Sequence, residues 1–103
     1  MTDKVFGSLG LCARAGKLKS GEFQAEESIK SSEAYLVIIA QDASDNTKKK
    51  FRNMSSFYEI PLAEYGTKET LGKAIGKEYR SAVTVLDRGF ANSILQKLRT
   101  TEQ

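Results

Sequence analysis

The feature that most constrains the fold is a continuous apolar run in the middle of the chain, from Leu36 to Ala40. Three of its residues are β-branched, and it lacks the apolar–polar alternation of a strand with one face in solvent. Such a run is typical of a strand covered on both faces, within a parallel or mixed sheet between helices. Gln41 and Asp42 end the run at the sheet edge, where ligands of α/β proteins tend to bind.

Apolar residues at helical spacing predict helices on both sides of this run. Val5, Leu9 and Cys12 fall on one face of a helix over residues 3–15. Further helices are predicted from residue 21 or 22 to about 31, around 51–58, from 68 to 75 after a Thr67 cap, and after an Asp87 cap. A glycine within the fourth helix, Gly72, indicates close packing at that point.

Short strand patterns separate these helices. Residues 17–20 predict an edge strand, residues 60–64 predict another because of Pro61, and the apolar residues 82–86 predict a second interior strand. This order predicts an α/β fold, a three-layer α/β/α sandwich around a roughly four-stranded mixed sheet. We expect a single domain over residues 1–103, with a tail that frays from about Thr100.

The composition excludes several classes of protein. The chain contains no histidine and a single cysteine, Cys12. An intrachain disulfide is therefore impossible, and we expect no metal site and no cofactor. The single cysteine points to a reducing compartment, and no segment has the pattern of a secretory signal or the length of a membrane span. We therefore expect a cytoplasmic protein that does not contact membranes.

For the two reactive side chains, Cys12 and Asp42, the sequence favours a structural role over a catalytic one. Cys12 could be a nucleophile, but no histidine is present to activate it, which favours core packing. Asp42 could accept a phosphoryl group, but Asp87 and Arg88 follow the last strand instead of the lysine that such a site needs. We therefore interpret Asp42 as a helix cap that turns the chain into the third helix, for which Ser44 and Asp45 are the other candidate caps.

Two further patterns also fail as catalytic sites. The segment from Gly72 to Lys77 is one residue too short for a phosphate-binding loop, and Glu78 stands where serine or threonine is needed. Glu22, Glu26 and Glu27 lie on one helix without a predicted partner on another element, which favours a solvated face. We therefore expect no enzymatic activity.

Basic residues are concentrated in three runs, although the net charge is only +3. Each run could be a solvated surface. The first leads into a helix N-terminus, whose free N–H groups favour phosphate, and the last contains Tyr79, which could stack on an unpaired base. If both loops lie at one end of the sheet, the pattern favours structured RNA. The runs are Arg14, Lys17 and Lys19; Lys48, Lys49, Lys50 and Arg52; and Lys73, Lys77 and Arg80.

Four segments in a fixed order resemble a known family. They are Gly16-Lys17-Leu18-Lys19-Ser20-Gly21, then Leu36 to Asp42, then Ile60-Pro61, then Leu71-Gly72-Lys73-Ala74-Ile75-Gly76. In this combination the chain is similar over nearly its whole length to the L7Ae family of ribosomal proteins, which bind kink-turn RNA. It most resembles the short bacterial, YlxQ-like members. The resemblance implies an α/β/α sandwich that binds RNA without catalysis.

The resemblance also implies which residues contact RNA. The family motif Gly-x-Asn-Glu-x-x-Lys falls on residues 21–27, with Phe23, Gln24 and Glu27 at the positions of Asn, Glu and Lys. A second family contact is the loop after Leu-Gly-x-Ala-x-Gly, where Tyr79 could pack on a flipped-out base. The candidate RNA-binding residues are therefore Lys17, Lys19, Ser20, Gly21, Glu22, Phe23, Gln24, Glu27, Lys30, Gly76, Lys77, Glu78, Tyr79 and Arg80.

We therefore expect a non-enzymatic RNA-binding protein of the translation apparatus. Its expected partners are structured, kink-turn-like RNA of ribosomal origin and the ribosome itself. Glu27 reverses the charge of the family's lysine. The alternative is accordingly a protein-interaction module on the same fold with weakened or lost RNA affinity.

Overall fold

The computed structural model describes residues 3–101, except for the side chain of residue 101. The described residues form five helices and four strands, which confirms the predicted order of elements. They are α1 (Lys4–Arg14), β1 (Leu18–Ser20), α2 (Glu22–Lys30), β2 (Leu36–Ile39), α3 (Asp45–Phe57), β3 (Leu62–Glu64), α4 (Lys68–Ala74), β4 (Ala82–Val85) and α5 (Arg88–Thr101).

The strands form one mixed sheet in the order β1-β4-β2-β3. Strand β4 is antiparallel to both of its neighbours, and β2 is parallel to β3. Every residue of β2 and of β4 is buried. The predicted interior strands are therefore interior, and the predicted edge strands β1 and β3 are at the edges.

Helices cover both faces of this sheet. Helix α1 packs against α4 and α5, and α2 packs against α3. Since β2 and β4 are buried on both faces, the two groups of helices form the outer layers of the expected α/β/α sandwich. Both groups supply large side chains with no exposed surface, Leu9 and Ile94 from the first and Ile29 and Phe51 from the second. Each such side chain stabilises the fold by about 1.5–3 kcal/mol through burial.

Asp42 caps a different helix from the one that the sequence predicts. Ser44 is the N-cap of α3 and accepts a hydrogen bond from the Thr47 amide at 3.1 Å. Asp42 instead accepts one from the amide of Lys68, the first residue of α4, at 2.8 Å. The reason is the parallel pairing of β2 with β3, because the residues that follow two parallel strands lie at the same end of the sheet.

The other predicted caps are confirmed. The Thr67 hydroxyl accepts a hydrogen bond from the Thr70 amide at 3.1 Å, and the Asp87 carboxylate accepts one from the Phe90 amide at 2.9 Å. Helix α5 continues through residue 101, beyond the Thr100 position at which the sequence predicts fraying. The last two residues of the predicted frayed tail lie outside the described part of the chain.

The close packing predicted at Gly72 is present. A Cβ atom added to Gly72 would lie only 2.3 Å from the carbonyl oxygen of Glu78 and 2.6 Å from its carbonyl carbon. The loop after α4 therefore packs backbone against backbone on that helix, and this contact holds residues 78 and 79 in place.

We predict that Gly72→Ala lowers the free energy of unfolding by about 1–3 kcal/mol, since the methyl group has no room beside the Glu78 backbone. Urea unfolding followed by circular dichroism measures the change. Gly7→Ala is the matched control, because Gly7 lies in α1 and a Cβ there would have no neighbour within 4 Å. That control should be stabilised by about 0.5–1 kcal/mol through helix propensity. Equal stability of the two variants would contradict the prediction.

Candidate nucleic-acid interface

The turn between β1 and α2 and the loop after α4 lie side by side. The amide of Gly21 donates a hydrogen bond to the carbonyl of Ala82 at 3.0 Å. The guanidinium Nε of Arg80 donates to the Ser20 hydroxyl at 3.1 Å. Gly21 has a φ of 91°, in the left-handed region that favours glycine, so the chain turns directly from β1 into α2. The two segments selected separately from the sequence thus meet in space.

An open groove of about 660 Å³ runs along this junction, and we call it the basic groove. Its walls come from the end of α1, from β1, from Gln24 of α2 and from the end of α4, and they include Arg14, Lys19, Lys73 and Lys77. Among the described residues that line it, none has a carboxylate. The described part of the chain offers no ion-pair partner to these four cations. Because these cations form no ion pair within the described residues, the groove attracts anions such as phosphate. Glu69 and Glu78 line an adjoining depression together with Lys73 and Lys77.

Three cations of the basic run in α3 form ion pairs with carboxylates, unlike the cations of the basic groove. Lys48 and Arg52 pair with Glu64 of β3, and Lys50 pairs with Glu22 of α2. These cations therefore connect α3 to its neighbours. Their charge is largely offset by carboxylates, in contrast to that of the basic groove.

Glu22 directs its carboxylate away from the basic groove. It accepts hydrogen bonds from the hydroxyls of Thr47 and Ser81, both at 3.2 Å, and from the Lys50 ammonium at 3.4 Å. Glu22 thus connects the first turn of α2 to α3 and to the residue before β4. Glu22 lies in the segment that the sequence predicts to bind RNA, and its carboxylate is engaged within the protein.

Lys17 and Lys30 also lie outside the lining of the basic groove. The ammonium of Lys30 is 3.0 Å from a carboxylate oxygen of Glu26, and this hydrogen bond lowers the pKa of Glu26 and raises the pKa of Lys30. Lys17 lines a separate depression together with Tyr35 and Leu86. Of the other candidate cations, Lys19 and Lys77 line the groove, whereas Arg80 does not.

Two exposed aromatic rings lie beside the basic groove. Phe23, in the first turn of α2, is 75% exposed, and Tyr79, in the loop after α4, is 62% exposed. The carbonyl of Tyr79 accepts a hydrogen bond from the Arg80 guanidinium at 2.7 Å. Glu27 lines the same depression as Phe23, and Glu78 lines the same depression as Tyr79.

Arg14 and Lys73 line the basic groove but are not among the residues predicted to bind RNA. Both belong to basic runs in the sequence, and that charge pattern is the signal that could have found them. Helix α1 approaches the end of α4 closely, since a Cβ on Gly10 would lie 2.9 Å from the Ala74 carbonyl oxygen. This contact between helices far apart in sequence brings the two cations into one groove.

The remaining reactive groups are buried or dispersed. Cys12 is fully buried, its thiol donates a hydrogen bond to the Lys17 carbonyl at 3.0 Å, and burial raises its pKa to about 11. Within residues 3–101, no group of three or more His, Cys, Asp or Glu side chains is arranged to hold a metal ion. No helix in the same part of the chain has the length and apolar character needed to cross a membrane.

The model of the ribosomal protein L7Ae/L30e/S12e/Gadd45 family matches residues 3–95 of the chain. The chain is 41% identical over 93 residues to the RNA-binding protein YlxQ of Bacillus subtilis (strain 168), a match that covers 90% of this chain and 93% of that protein. It is also 41% identical to the RNA-binding protein YlxQ of Enterococcus faecium, over 85% of this chain and 84% of that one. The large ribosomal subunit protein eL8 of Cenarchaeum symbiosum (strain A) is 27% identical, over 95% and 79% of the two chains.

Two solved structures have the same architecture. A protein with unknown function from Bacillus halodurans C superposes with a TM-score of 0.92 and 36% identity, over 95% of this chain and 99% of that chain. The 15.5kD RNA binding protein of Giardia lamblia superposes with a TM-score of 0.79 and 19% identity, over 99% and 91%. At that identity the second likeness shows the fold alone.

We predict that Glu22→Ala lowers the free energy of unfolding by about 1–2 kcal/mol, because it removes the shared acceptor of Thr47, Lys50 and Ser81. Glu27→Ala is the matched control on the same helix, since Glu27 is exposed. That variant should stay within about 0.5 kcal/mol of the parent. Chemical unfolding of both variants measures the difference, and equal free energies would contradict this role of Glu22.

Proposed function

Since the chain belongs to the ribosomal protein L7Ae/L30e/S12e/Gadd45 family, we propose that it is a non-enzymatic RNA-binding protein of the translation apparatus. Two of its relatives are RNA-binding proteins, and a third is a protein of the large ribosomal subunit. The target that we propose is a structured RNA of the kink-turn type and of ribosomal origin. Binding would take place in the cytoplasm, on the ribosome or on its RNA.

The observation that supports this proposal most is the set of cations in the basic groove that form no ion pair. Four cations line it without an acidic partner in the described part of the chain. The N-terminus of α2, whose N–H groups favour phosphate, begins at the edge of this groove. Gln24 lines it with an amide that can donate to or accept from a base edge. Phosphate contacts would supply most of the affinity, and the amide would read a base.

A second candidate function is protein interaction. Glu27, which is exposed in the structure, replaces the lysine of the family motif and would repel a phosphate at that position. A pull-down that recovers a protein partner after nuclease treatment would favour this function. Loss of the partner on nuclease treatment would favour RNA binding.

We predict that Lys19→Ala and Lys77→Ala each weaken binding to kink-turn RNA and to ribosomal RNA fragments. Each variant should also flatten the dependence of log K on log salt by about 0.7–0.9, the amount expected for one lost phosphate contact. Mobility-shift titrations at about 50 and 200 mM salt measure both effects.

Lys49→Ala is the matched control for these lysine variants. Lys49 is an exposed lysine of α3, outside the basic groove, and its removal lowers the net charge by the same amount. Its affinity and salt dependence should stay close to those of the parent. Absence of salt-dependent binding to every structured RNA tested would refute the proposed function, and an equal loss in Lys49→Ala would place the binding charge elsewhere.

We also predict that Glu27→Lys tightens binding to kink-turn RNA by about 1–3 kcal/mol, because an attraction to phosphate replaces a repulsion. Glu59→Lys is the control, since it makes the same change of charge at an exposed position after α3. The same titrations compare the two variants. If both tighten binding equally, overall charge rather than the position of Glu27 determines the affinity.

A further inference from the structure

We propose that a depression away from the basic groove, at the end of the sheet where β2 and β3 begin, binds an arginine side chain of a protein partner. We call it the tyrosine depression, and its lining includes Ser32, Tyr35, Tyr58 and Glu59. Its volume is about 200 Å³, and it shares no lining residue with the basic groove. Binding at this site is a second activity, separate from the proposed RNA binding.

The strand order separates the tyrosine depression from the basic groove. Tyr35 directly precedes β2, and its amide donates a hydrogen bond to the carbonyl of Val85, the last residue of β4, at 2.8 Å. Pro61, which also lines the depression, directly precedes β3. The basic groove instead follows β1, which is the opposite edge of the sheet from β3. A ligand at one site therefore leaves the other site accessible.

Two helices end at the tyrosine depression. Ser32 follows the end of α2, and its amide donates a hydrogen bond to the Ile29 carbonyl at 3.0 Å. Glu59 follows the end of α3, and its amide donates one to the Ser56 carbonyl at 3.2 Å. The C-terminus of a helix carries a partial negative charge that favours cations, and the last turn of α3 contains no basic residue to offset it. Both helix ends therefore favour a cation in the depression.

The carboxylate of Glu59 adds a full negative charge. Glu59 is exposed, and within the described part of the chain it forms no ion pair. A guanidinium presents its N–H donors in a planar fork that matches the two oxygens of a carboxylate. The charge of the lining thus complements that of an arginine side chain.

Two exposed tyrosine rings favour a guanidinium over an ammonium. Tyr35 is 41% exposed and Tyr58 is 36% exposed. A guanidinium stacks on aromatic faces and is more weakly hydrated than an ammonium. The protein already contains such a contact, because the guanidinium carbon of Arg88 lies 5.5 Å from the centroid of the Tyr35 ring. The exposed parts of the two rings offer the same interaction to an arginine of a partner.

The protein's own cations do not fill the depression. The ammonium of Lys30 is 3.0 Å from a carboxylate oxygen of Glu26. Lys17 lines an adjoining depression, which also contains the carboxylate of Glu33. Arg88 does not line the tyrosine depression. Among the described residues, the lining therefore has one carboxylate and no cation.

The cation must belong to a larger molecule. One exposed contact between a cation and a ring changes an equilibrium constant by only about 2- to 5-fold, which is too little to hold a free cation. Phe57 offers further contact area, since its ring is 79% exposed and its centroid lies 5.0 Å from that of Tyr58. A protein segment with an arginine next to an apolar residue matches both features.

Nuclear magnetic resonance titration of the isotope-labelled protein tests the proposal, because it detects weak binding and locates it. The probes are two short peptides of one sequence, which differ only in having arginine or citrulline next to a leucine. We expect the arginine peptide to shift the amide signals of Ala34, Tyr58 and Glu59 until they saturate. The citrulline peptide, which is similar in shape but uncharged, should not shift them.

Variants of the lining separate charge from stacking. Glu59→Gln should weaken binding of the arginine peptide by about 2- to 5-fold, as for the loss of a well-formed exposed ion pair. Tyr58→Leu should weaken it by about 2- to 5-fold through loss of the ring, whereas Tyr58→Phe, which keeps the ring, should retain the parent's affinity. Glu59→Gln should bind kink-turn RNA as the parent does. Thermal unfolding verifies that each variant is folded.

Two control variants make the same changes outside the tyrosine depression. They are Glu69→Gln and Tyr79→Leu, both at exposed positions that do not line it. Their affinity for the arginine peptide should equal that of the parent. An equal loss in these controls would place the peptide at another site and overturn the proposal.

The other contradicting outcomes identify a different occupant or none. Equal shifts with both peptides, or no shift with either, would show that the depression does not recognise arginine. Tighter binding of spermidine at the same amides would assign the site to a free polyamine. Shifts of these signals with protein concentration alone would assign it to a second copy of this chain. None of these results bears on RNA binding, so the proposed function is tested separately.

Discussion

The position of β4 between β1 and β2 determines how the candidate interface is assembled. This strand runs antiparallel to both neighbours, so the loop that precedes it lies beside the turn that follows β1. A buried hydrogen bond of 2.7 Å between the hydroxyls of Ser28 and Thr84 connects β4 to α2 on the same face. If β4 did not lie between β1 and β2, Gly21 and Arg80 would not be neighbours, since most of the chain separates them in sequence.

The distribution of charge divides the molecule into two regions of different character. On the side of α2 and α3, Lys50 lies between Glu22 and Glu26 and connects the helices. In the basic groove, cations such as Arg14 and Lys73 have no carboxylate beside them in the lining. The first region stabilises the fold through modest, solvent-screened interactions. The second keeps its charge available for an anionic ligand.

Much of the fold could be predicted from the sequence because local patterns report burial and backbone geometry. The apolar runs of β2 and β4 identified the two interior strands, and Pro61 identified an edge. Caps such as Thr67 and Asp87 act within one turn of their own helix, so their role depends on neighbouring residues alone. Gly72 indicated a close contact, although its partner, the Glu78 backbone, became known only from the structure.

The sequence by itself thus determined the order of elements, the interior and edge strands, and the two segments whose residue types suit RNA. Only the tertiary structure decided which side chains of those segments are engaged in contacts within the protein and which are not. It assigned Asp42 to α4 through a parallel strand pair, engaged Glu22 and Lys30 in contacts within the protein, and brought Arg14 beside Lys73. The physical reason is that these outcomes depend on which distant elements touch, and strand order and helix packing set those contacts.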